Sequence, residues 1–556
     1  MIVGLDMGGT HVDAAIIRDG EIVDTAKTPV DRSNLFESIW NTLEELLSGK
    51  DIARIKRINL STTVCTNAIV ENKTVPVGMV IESGPGLNPD FLKCGKANVF
   101  VSGYIDHRGR EVQKINPDEM QEALKLFQRK GVQACAVISK FSVRNPLHEK
   151  EMASFFQKHF SPVTLGHTIS GKLNFPRRVF TSYLNSGIHK TFNEFSESIK
   201  TALNDKGIKA PVYVLKADGG TIGLKAAERY PVNTILSGPA ASLMGMCALI
   251  PTYEDAILLD IGGTTTDIAF LADGISLFEP LGIKIDNYPT LVRAIYSVSI
   301  GLGGDSSIRV ENKDLVIGPQ REGAPMAKGG PKPTPSDAMI VLGLMDFGDK
   351  QKAFEAMKQL GEEQGITPET VAKKVVDKMA FMIKEKVDKL VHDINSHPVY
   401  TVRELLYGKK LTPKSINMIG GPAKALTSAL ESLFKIPVKF PKNYDVANAV
   451  GAALSRVTTE VSLLADTERQ TLAVPEMGIY KKISKSFDIE DAKQMASSLL
   501  KQNAHKLGSD ETVDVEITEA ESFNMVRGFF TSGKNIRVKA QIKPGLVALN
   551  RGVQSD

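Results

Sequence analysis

The sequence predicts an α/β protein of two related lobes, with an α/β insertion in the first and a small α+β unit at the C-terminus. Three observations carry this expectation. The chain has 556 residues, several times the roughly 100–200 of a typical domain. An 18-residue hairpin pattern occurs twice. Elsewhere, strand-like alternation and helical spacing of apolar residues take turns along the chain.

Hydrophobic residues at 42% and charged residues at 24% fit a globular protein with a large core and exclude a disordered or collagen-like chain. Lys+Arg 68 against Asp+Glu 64 leaves +4 with no basic block, so nucleic-acid binding is not expected. Cys65, Cys94, Cys135 and Cys247 are widely separated, which suits a reducing compartment. The start, MIVGLDMGG, lacks the basic and apolar regions of a signal peptide. No apolar run approaches the ~20 residues of a membrane span. The expectation is a soluble, cytoplasmic protein without membrane contact.

The first lobe, expected over 1–210, opens on the first hairpin. Residues 5–22 read LDMGGTHVDAAIIRDGEI and residues 259–276 read LDIGGTTTDIAFLADGIS. Nine of the eighteen positions are identical, where chance gives about one. Each copy reads as strand, GGT turn, strand, Asp-Gly turn, strand. Paired glycines let backbone N–H groups approach an anion, and the Thr adds a hydroxyl donor. Asp6 and Asp260 end the first strands, positioned to hold a metal ion through water, while Asp13 and Asp267 either support them or lie on the phosphate side. A single copy is equally well explained as a tight turn. Two copies facing each other would clamp the phosphates of one nucleotide, through Gly8, Gly9, Thr10, His11 and Asp13 on one side. Gly262, Gly263, Thr264 and Thr265 would act from the other. No Walker loop or Rossmann fingerprint is present, because a strand with Val12, Ala14 and Ile16 on one face follows the glycines.

After the first hairpin, Ser61–Asn67 follows a strand ending at Leu60 and precedes a helix. Thr62, Thr63, Thr66 and Asn67 are uncharged donors suited to a neutral, hydrogen-bonding substrate; capping of the helix by Thr62 or Thr63 is the plainer reading. The insertion, about 76–175, reads as helix over 117–130, buried strand over Ala134–Ile138 and helix over 147–160. A helix over 176–206 and a strand over Pro211–Leu215 follow. In the second lobe, 211–457, two strand-into-helix loops stand out. Thr234–Leu236 leads into Ser237-Gly238-Pro239, and Asn417–Ile419 into Gly420-Gly421-Pro422. Proline suits the first helical turn, and such a helix start can hold an adenosine or phosphate. An amphipathic helix near 368–394 reads as core packing, and Asp445–Leu454 as a closing helix. The C-terminal unit, 458–556, reads as a helix over 488–507 with strands Thr512–Thr518 and Asn535–Lys543.

The two hairpins resemble those of the actin/sugar-kinase/Hsp70 ATPase superfamily. More closely, the chain is similar to the hydantoinase A / 5-oxoprolinase family, which includes the acetone carboxylase β subunit. Ser61–Glu71 (STTVCTNAIVE) is similar to that family's GTTxxTNAxLE. Val101–Glu111, Phe141–Glu149, Thr234–Gly245, Ile300–Ile308 and Gly329–Gly343 follow in the family's order, over about residues 1–455. The resemblance implies an actin-like, ribonuclease H-like fold with ATP and Mg2+ between its lobes. It also implies ATP-dependent activation of a small carbonyl compound. In amide-opening members this means phosphorylation of a cyclic amide such as hydantoin, N-methylhydantoin or 5-oxoproline. Asp6, Asp260 and Asp267 are then the candidate catalytic carboxylates, with the general base left open. Gly301, Gly303, Gly304, Gly420, Gly421 and Pro422 join the ATP ligands, and Ser237 and Gly238 join the substrate loop. A B-type partner subunit and an oligomer are further implications.

The chain also departs from the family pattern. GGTFTD is GGTHVD here, and the glycine-rich IGxGGGS gains a carboxylate at Asp305. Nine histidines show no HxH or HExxH, so a zinc amidase is not expected. A small-molecule kinase and a non-catalytic or reactivating ATPase on the same fold stay open as alternatives.

Overall fold

The computed structural model describes residues 1–8, 11–31, 34–279, 281–396, 410–507, 509 and 514–546. Its first sheet runs in the order Thr221–Gly223, Val212–Leu215, Arg57–Thr62, Ile2–Met7, His11–Arg18, Glu21–Pro29. The last three form the antiparallel hairpin, while Arg57–Thr62 and Val212–Leu215 add in parallel. The second sheet repeats the plan. Ile275–Ser276, Thr266–Ala272 and Ala256–Ile261 form its hairpin, and Ser415–Ile419 and Val438–Lys439 add in parallel. Both Asp-Gly turns take the left-handed pair of conformations that suits the twist of flanking strands: φ is 54° and 80° at Asp19-Gly20, and 48° and 76° at Asp273-Gly274.

His11–Arg18 is buried on both faces rather than one. Val12, Ala14 and Ile16 face a core made with helices Leu35–Leu47 and Phe175–Asp205. Ala15 and Ile17 face the closing helix, Ala447–Leu454. Residue 210 is not the end of the first sheet, as the expected boundary implied. Parallel pairing requires a crossover, so the chain comes back through the insertion and the long helix before supplying Val212–Leu215 and Thr221–Gly223.

The insertion is an all-parallel sheet of Val163–Leu165, Ala134–Ser139, Val77–Glu82 and Ala97–Phe100, flanked by helices Pro117–Arg129 and Leu147–Phe156. Phe175–Asp205 supports two bodies. Phe175, Val179 and Phe180 pack on the insertion, and Leu184, Ile188, Phe192 and Phe195 on the first lobe. Helix Pro368–Ser396 lays Val371, Val375, Met379 and Ile383 into the second core.

The C-terminal unit is a five-stranded antiparallel sheet with helix Ile489–Lys506 on one face. Its two expected strands are longer than alternation suggested, Val515–Arg527 and Phe530–Ile542, and residues 512 and 513 lie outside the described ones. Beyond Ile517 most of the first strand is exposed on both faces, so no apolar stripe marked it. Phe523, Val526, Phe529 and Phe530 are exposed toward the end of this arm. Among the described residues no helix is long and apolar enough to cross a membrane.

Candidate functional site

Each hairpin closes its glycine turn in the same way. Gly8 donates its N–H to His11 O at 3.0 Å, and Gly262 donates to Thr265 O at 2.9 Å. Gly9 and Thr10 lie outside the described residues. Directly opposed strand positions share a face, so Asp6 is paired with Asp13, and Asp260 with Asp267. Lys27 arrives from the third strand, opposite Asp13, and donates to its Oδ1 at 2.7 Å and to Asp445 O at 2.9 Å.

The two carboxylate pairs face each other electrostatically. Burial raises the pKa of Asp6 to about 6; Ser61 and Asn448 oppose the rise, while Asp13 and Asp260 add to it. Desolvation and then Asp267 raise Asp260 to about 6, with Ser242 opposing and Asp13 adding. Burial also raises Asp13 and Asp267, against Lys27 and Ser299 respectively. Like charges buried near one another favour a bound cation.

Asp6 Oδ1 is buried without a hydrogen-bond partner, and Oδ2 accepts from Asn448 Nδ2 at 3.1 Å. Mg2+ characteristically takes one or two carboxylates and completes its sphere with water and phosphate. Asp6 and Asp260 fit that donor set. Among the described residues no three or more His, Cys, Asp or Glu side chains form a metal cage.

Glycine-rich loops build the wall behind the second turn. Gly304 donates to Gly262 O at 3.0 Å and Asp305 to Gly263 O at 2.6 Å. A Cβ on Gly303 would lie 2.5 Å from the Gly263 backbone, and one on Gly304 2.8 Å from Pro422. Gly420, at φ +97°, leaves no room either: its Cβ would meet Ile261 O at 2.2 Å. Gly262, Gly263, Gly303, Gly304, Gly420 and Pro422 thus converge, with Gly421 exposed beside them. Gly301 stands behind, against Pro319. Asp305 lies beside Gly263 and pairs with Arg321 at 3.0 Å.

The proposed substrate loops meet at the end of the first strand, but several of their hydroxyls are already engaged. Ser237 Oγ donates to Thr62 O at 2.8 Å and accepts from Thr62 N–H at 3.1 Å. Thr66 Oγ1 accepts from Leu236 N–H at 3.0 Å, and Thr62 Oγ1 from Val64 N–H at 3.2 Å. Thr63 and Asn67 are half-buried, joined at 3.2 Å, beside Met7 and Gly238. The expected strand Thr234–Leu236 is instead the end of a 3-10 turn, Pro231–Thr234, followed by Leu236 at φ +60°. A proline at the start of the turn and the Thr66 tie set this path.

Sequence reading missed Lys27, Ser242, Arg321 and Asn448. Lys27 was within reach, since hairpin register sets it opposite Asp13. The other three come from distant segments, and spacing along the chain carries no sign of them.

Residues 2–160 match the hydantoinase/oxoprolinase N-terminal region, and residues 178–461 match the hydantoinase/oxoprolinase model. The chain belongs to the hydantoinase/oxoprolinase family. The chain is similar to the acetophenone carboxylase gamma subunit of Aromatoleum aromaticum, 25% identical over 69% of this chain and 61% of that one. The caprolactamase subunit alpha of Pseudomonas jessenii is 26% identical over 66% and 60%. The chain thus spans about three-fifths of the length of these two relatives. Two solved structures share the fold. Nucleotide-free acetone carboxylase superposes with a TM-score of 0.72 at 17% identity, covering 98% of this chain and 88% of that one. The ATP-dependent caprolactamase from Pseudomonas jessenii gives 0.71 at 19%, covering 99% and 88%.

Proposed function

We propose that this hydantoinase/oxoprolinase-family chain is an ATP-dependent enzyme, or the ATP-using subunit of one, that activates a small cyclic amide by phosphorylating its oxygen. The observation that carries this reading is the pair of matched GGT hairpins, each with its opposed Asp pair, whose carboxylates Asp6, Asp13 and Asp260 lie within electrostatic reach of one another. On an actin-like reading of the two repeated sheets, that cleft holds ATP between the lobes. The backbone amides of both turns and the loops at Gly303–Gly304 and Gly420–Pro422 would hold phosphates and nucleoside. Bound Mg2+ would neutralise phosphate charge beside Asp6 and Asp260.

The chemistry follows from the weakness of an unstrained amide as an electrophile. Attack of the amide oxygen on the γ-phosphorus breaks the bond to the bridging oxygen, releases ADP and leaves a phosphorylated imidate. Water then adds to the imidate carbon, the ring C–N bond breaks as nitrogen takes a proton, and a second water releases phosphate. Asp260 or Asp267 would take the proton from water; burial raises both carboxyls, which makes each a stronger base than an exposed aspartate. Thr63 and Asn67 would orient the neutral substrate.

A second reading keeps the same ATP cleft but activates a ketone, supported by the relative named acetophenone carboxylase gamma subunit. Both relatives are named as subunits, which supports a B-type or other partner for this chain. The test is ADP release from Mg2+-ATP by the purified chain with 5-oxoproline, hydantoin, N-methylhydantoin, caprolactam and simple ketones, with Asp260→Asn as the blank. Stimulation by a lactam or imide, lost in the variant, is expected. Stimulation by ketones alone would replace the first reading with the second. Saturable ATP binding without stimulation would shift the activity to an assembly with a partner.

A further inference from the structure

A cavity lies where the first lobe, the insertion, the segment around Arg293 and the C-terminal unit meet, and the proposed ATP chemistry makes no use of it. Lys216 and Asp218, just past the strand Val212–Leu215, form one wall. Ser170 of the insertion, Arg293, and Glu460 and Glu476 of the C-terminal unit form the others. In α/β sheets, ligands bind beyond the carboxyl ends of parallel strands, and this cavity has that position. Register also sets it near the substrate loop. Leu60 pairs with Leu5 on one side and Val214 on the other. The strand leading into Lys216 is therefore two strands, about 10 Å, from the one that carries Asp6. A volume of about 210 Å3 far exceeds the roughly 10–15 Å3 one water needs, yet falls below the roughly 300–1,000 Å3 of drug-sized pockets. The space suits a small metabolite.

Three of the wall charges are neutralised in place. Lys216 meets Asp218 at 3.1 Å, and Glu460 meets Lys539 at 2.9 Å. The other two are not. Arg293 donates Nη1 to Gln541 Oε1 at 2.5 Å and lays its guanidinium 4.4 Å from the centre of the Phe278 ring. Among the described residues no carboxylate comes within ion-pair distance of Arg293; Glu460, whose charge it feels, is taken by Lys539. Glu476 accepts from Gly171 N–H at 3.1 Å and from Ser462 N–H at 3.2 Å, and among the described residues no cation pairs with it. Burial raises its pKa, and Glu460 adds to the rise. A charge drawn out of water costs free energy until an opposite charge meets it. One cavity thus presents a guanidinium without an anion and a carboxylate without a cation. Thr458 adds a buried hydroxyl with no hydrogen-bond partner, and Leu291 and Ile542 add apolar surface.

We propose that this cavity binds a small zwitterion, an amino acid whose carboxylate meets Arg293 and whose ammonium meets Glu476. Opening a lactam ring releases a molecule of this class, because the broken C–N bond leaves a new carboxylate and a new amino group. Identifying the occupant with a ring-opened product rests on the proposed activity; the pattern of unpaired charges does not.

Calorimetry on the full chain without nucleotide tests this, using glutamate and straight-chain amino acids of two to six carbons. Each is compared with its analogue lacking the amino group and its analogue lacking the carboxylate. At least one amino acid should bind at one per chain, with both analogues about tenfold or more weaker. Arg293→Gln should bind that amino acid no better than its amine analogue, and Glu476→Gln no better than its carboxylate analogue. Arg293→Lys, which keeps the charge, should retain most of the affinity. The proposal is overturned if no amino acid binds at about 10 mM, if the analogues bind equally well, or if the neutral variants leave affinity unchanged. Should Glu476→Gln fail to fold, since Glu476 also ties Gly171 to Ser462, the two Arg293 variants and the analogues decide. Amino-acid binding by a chain that binds no Mg2+-ATP would keep the cavity and sink the ATP-dependent reading. Lactam-stimulated ADP release with no amino-acid binding would do the reverse.

Discussion

Glu460 illustrates how a single partly buried charge joins three parts of the molecule. Burial alone would raise its pKa, but Lys539 at 2.9 Å, Lys172 and Arg293 outweigh it and hold the carboxyl down to about 2. The depressed value means that the unfolded chain binds more protons between about pH 4.5 and pH 2. The stability Glu460 contributes is therefore present above that window and lost as the pH falls through it. Nearly a third of the side chain is solvent-accessible, which trims the effect by screening. Glu460→Gln should cost about 2 kcal/mol at pH 7, and the gap to wild type should close toward pH 2. Urea unfolding at pH 7, 4 and 3 checks this; an equal gap at all three would show that the ion pairs are not its source. The residues that carry the pKa logic of the cleft, Asp6 and Asp260, were legible in the repeat. Their neighbours Asn448 and Ser242 were not, because they are partners only through folding: Asn448 lies 442 residues from Asp6.

At the scale of elements, the hairpins and the crossing helices behave differently. A hairpin is specified locally, by alternation, a glycine turn and an Asp-Gly turn with positive φ at both residues, so both copies fold as their sequence indicates. The crossing of helix Ser237–Leu249 with Ala447–Leu454 is specified by close approach. Alanine is a better helix former than glycine by about 1 kcal/mol, so Gly245→Ala and Gly451→Ala would stabilise an isolated helix. Here the added Cβ meets a backbone carbonyl at 2.1 Å, and backbone cannot step aside cheaply. Each substitution should cost about 1–3 kcal/mol net, seen as a lower urea midpoint with an unchanged slope. A gain in stability would mean the helices do not cross this closely in solution. The long C-terminal arm shows the converse problem. Much of Val515–Arg527 is exposed on both faces, so its length left no periodic mark in the sequence.

For the molecule as a whole, the clamp reading predicts that ligand protects distant segments together. Mg2+-ATP should slow hydrogen exchange in both turns, 6–13 and 260–267, and in the 420–423 loop, with a smaller effect for ATP without Mg2+. Protection of one hairpin only would place the nucleotide on a single lobe and remove the basis for joint phosphate binding.

Taken alone, the sequence determined the two hairpins, their Asp residues, the helical and strand character of most segments and the family. All of these depend on short-range periodicity, turn chemistry or motif order, which a linear chain displays openly. Only the tertiary structure decided that the first sheet reaches past residue 210, that Ser237 is tied to Thr62 and Thr66 to Leu236, and that Gly303, Gly304, Gly420 and Pro422 form one wall. It alone joined Asp6 to Asn448, and Asn448 to Ser242. These features depend on segments hundreds of residues apart arriving within hydrogen-bond distance, and parallel pairing and helix crossing bring them there without a local signature.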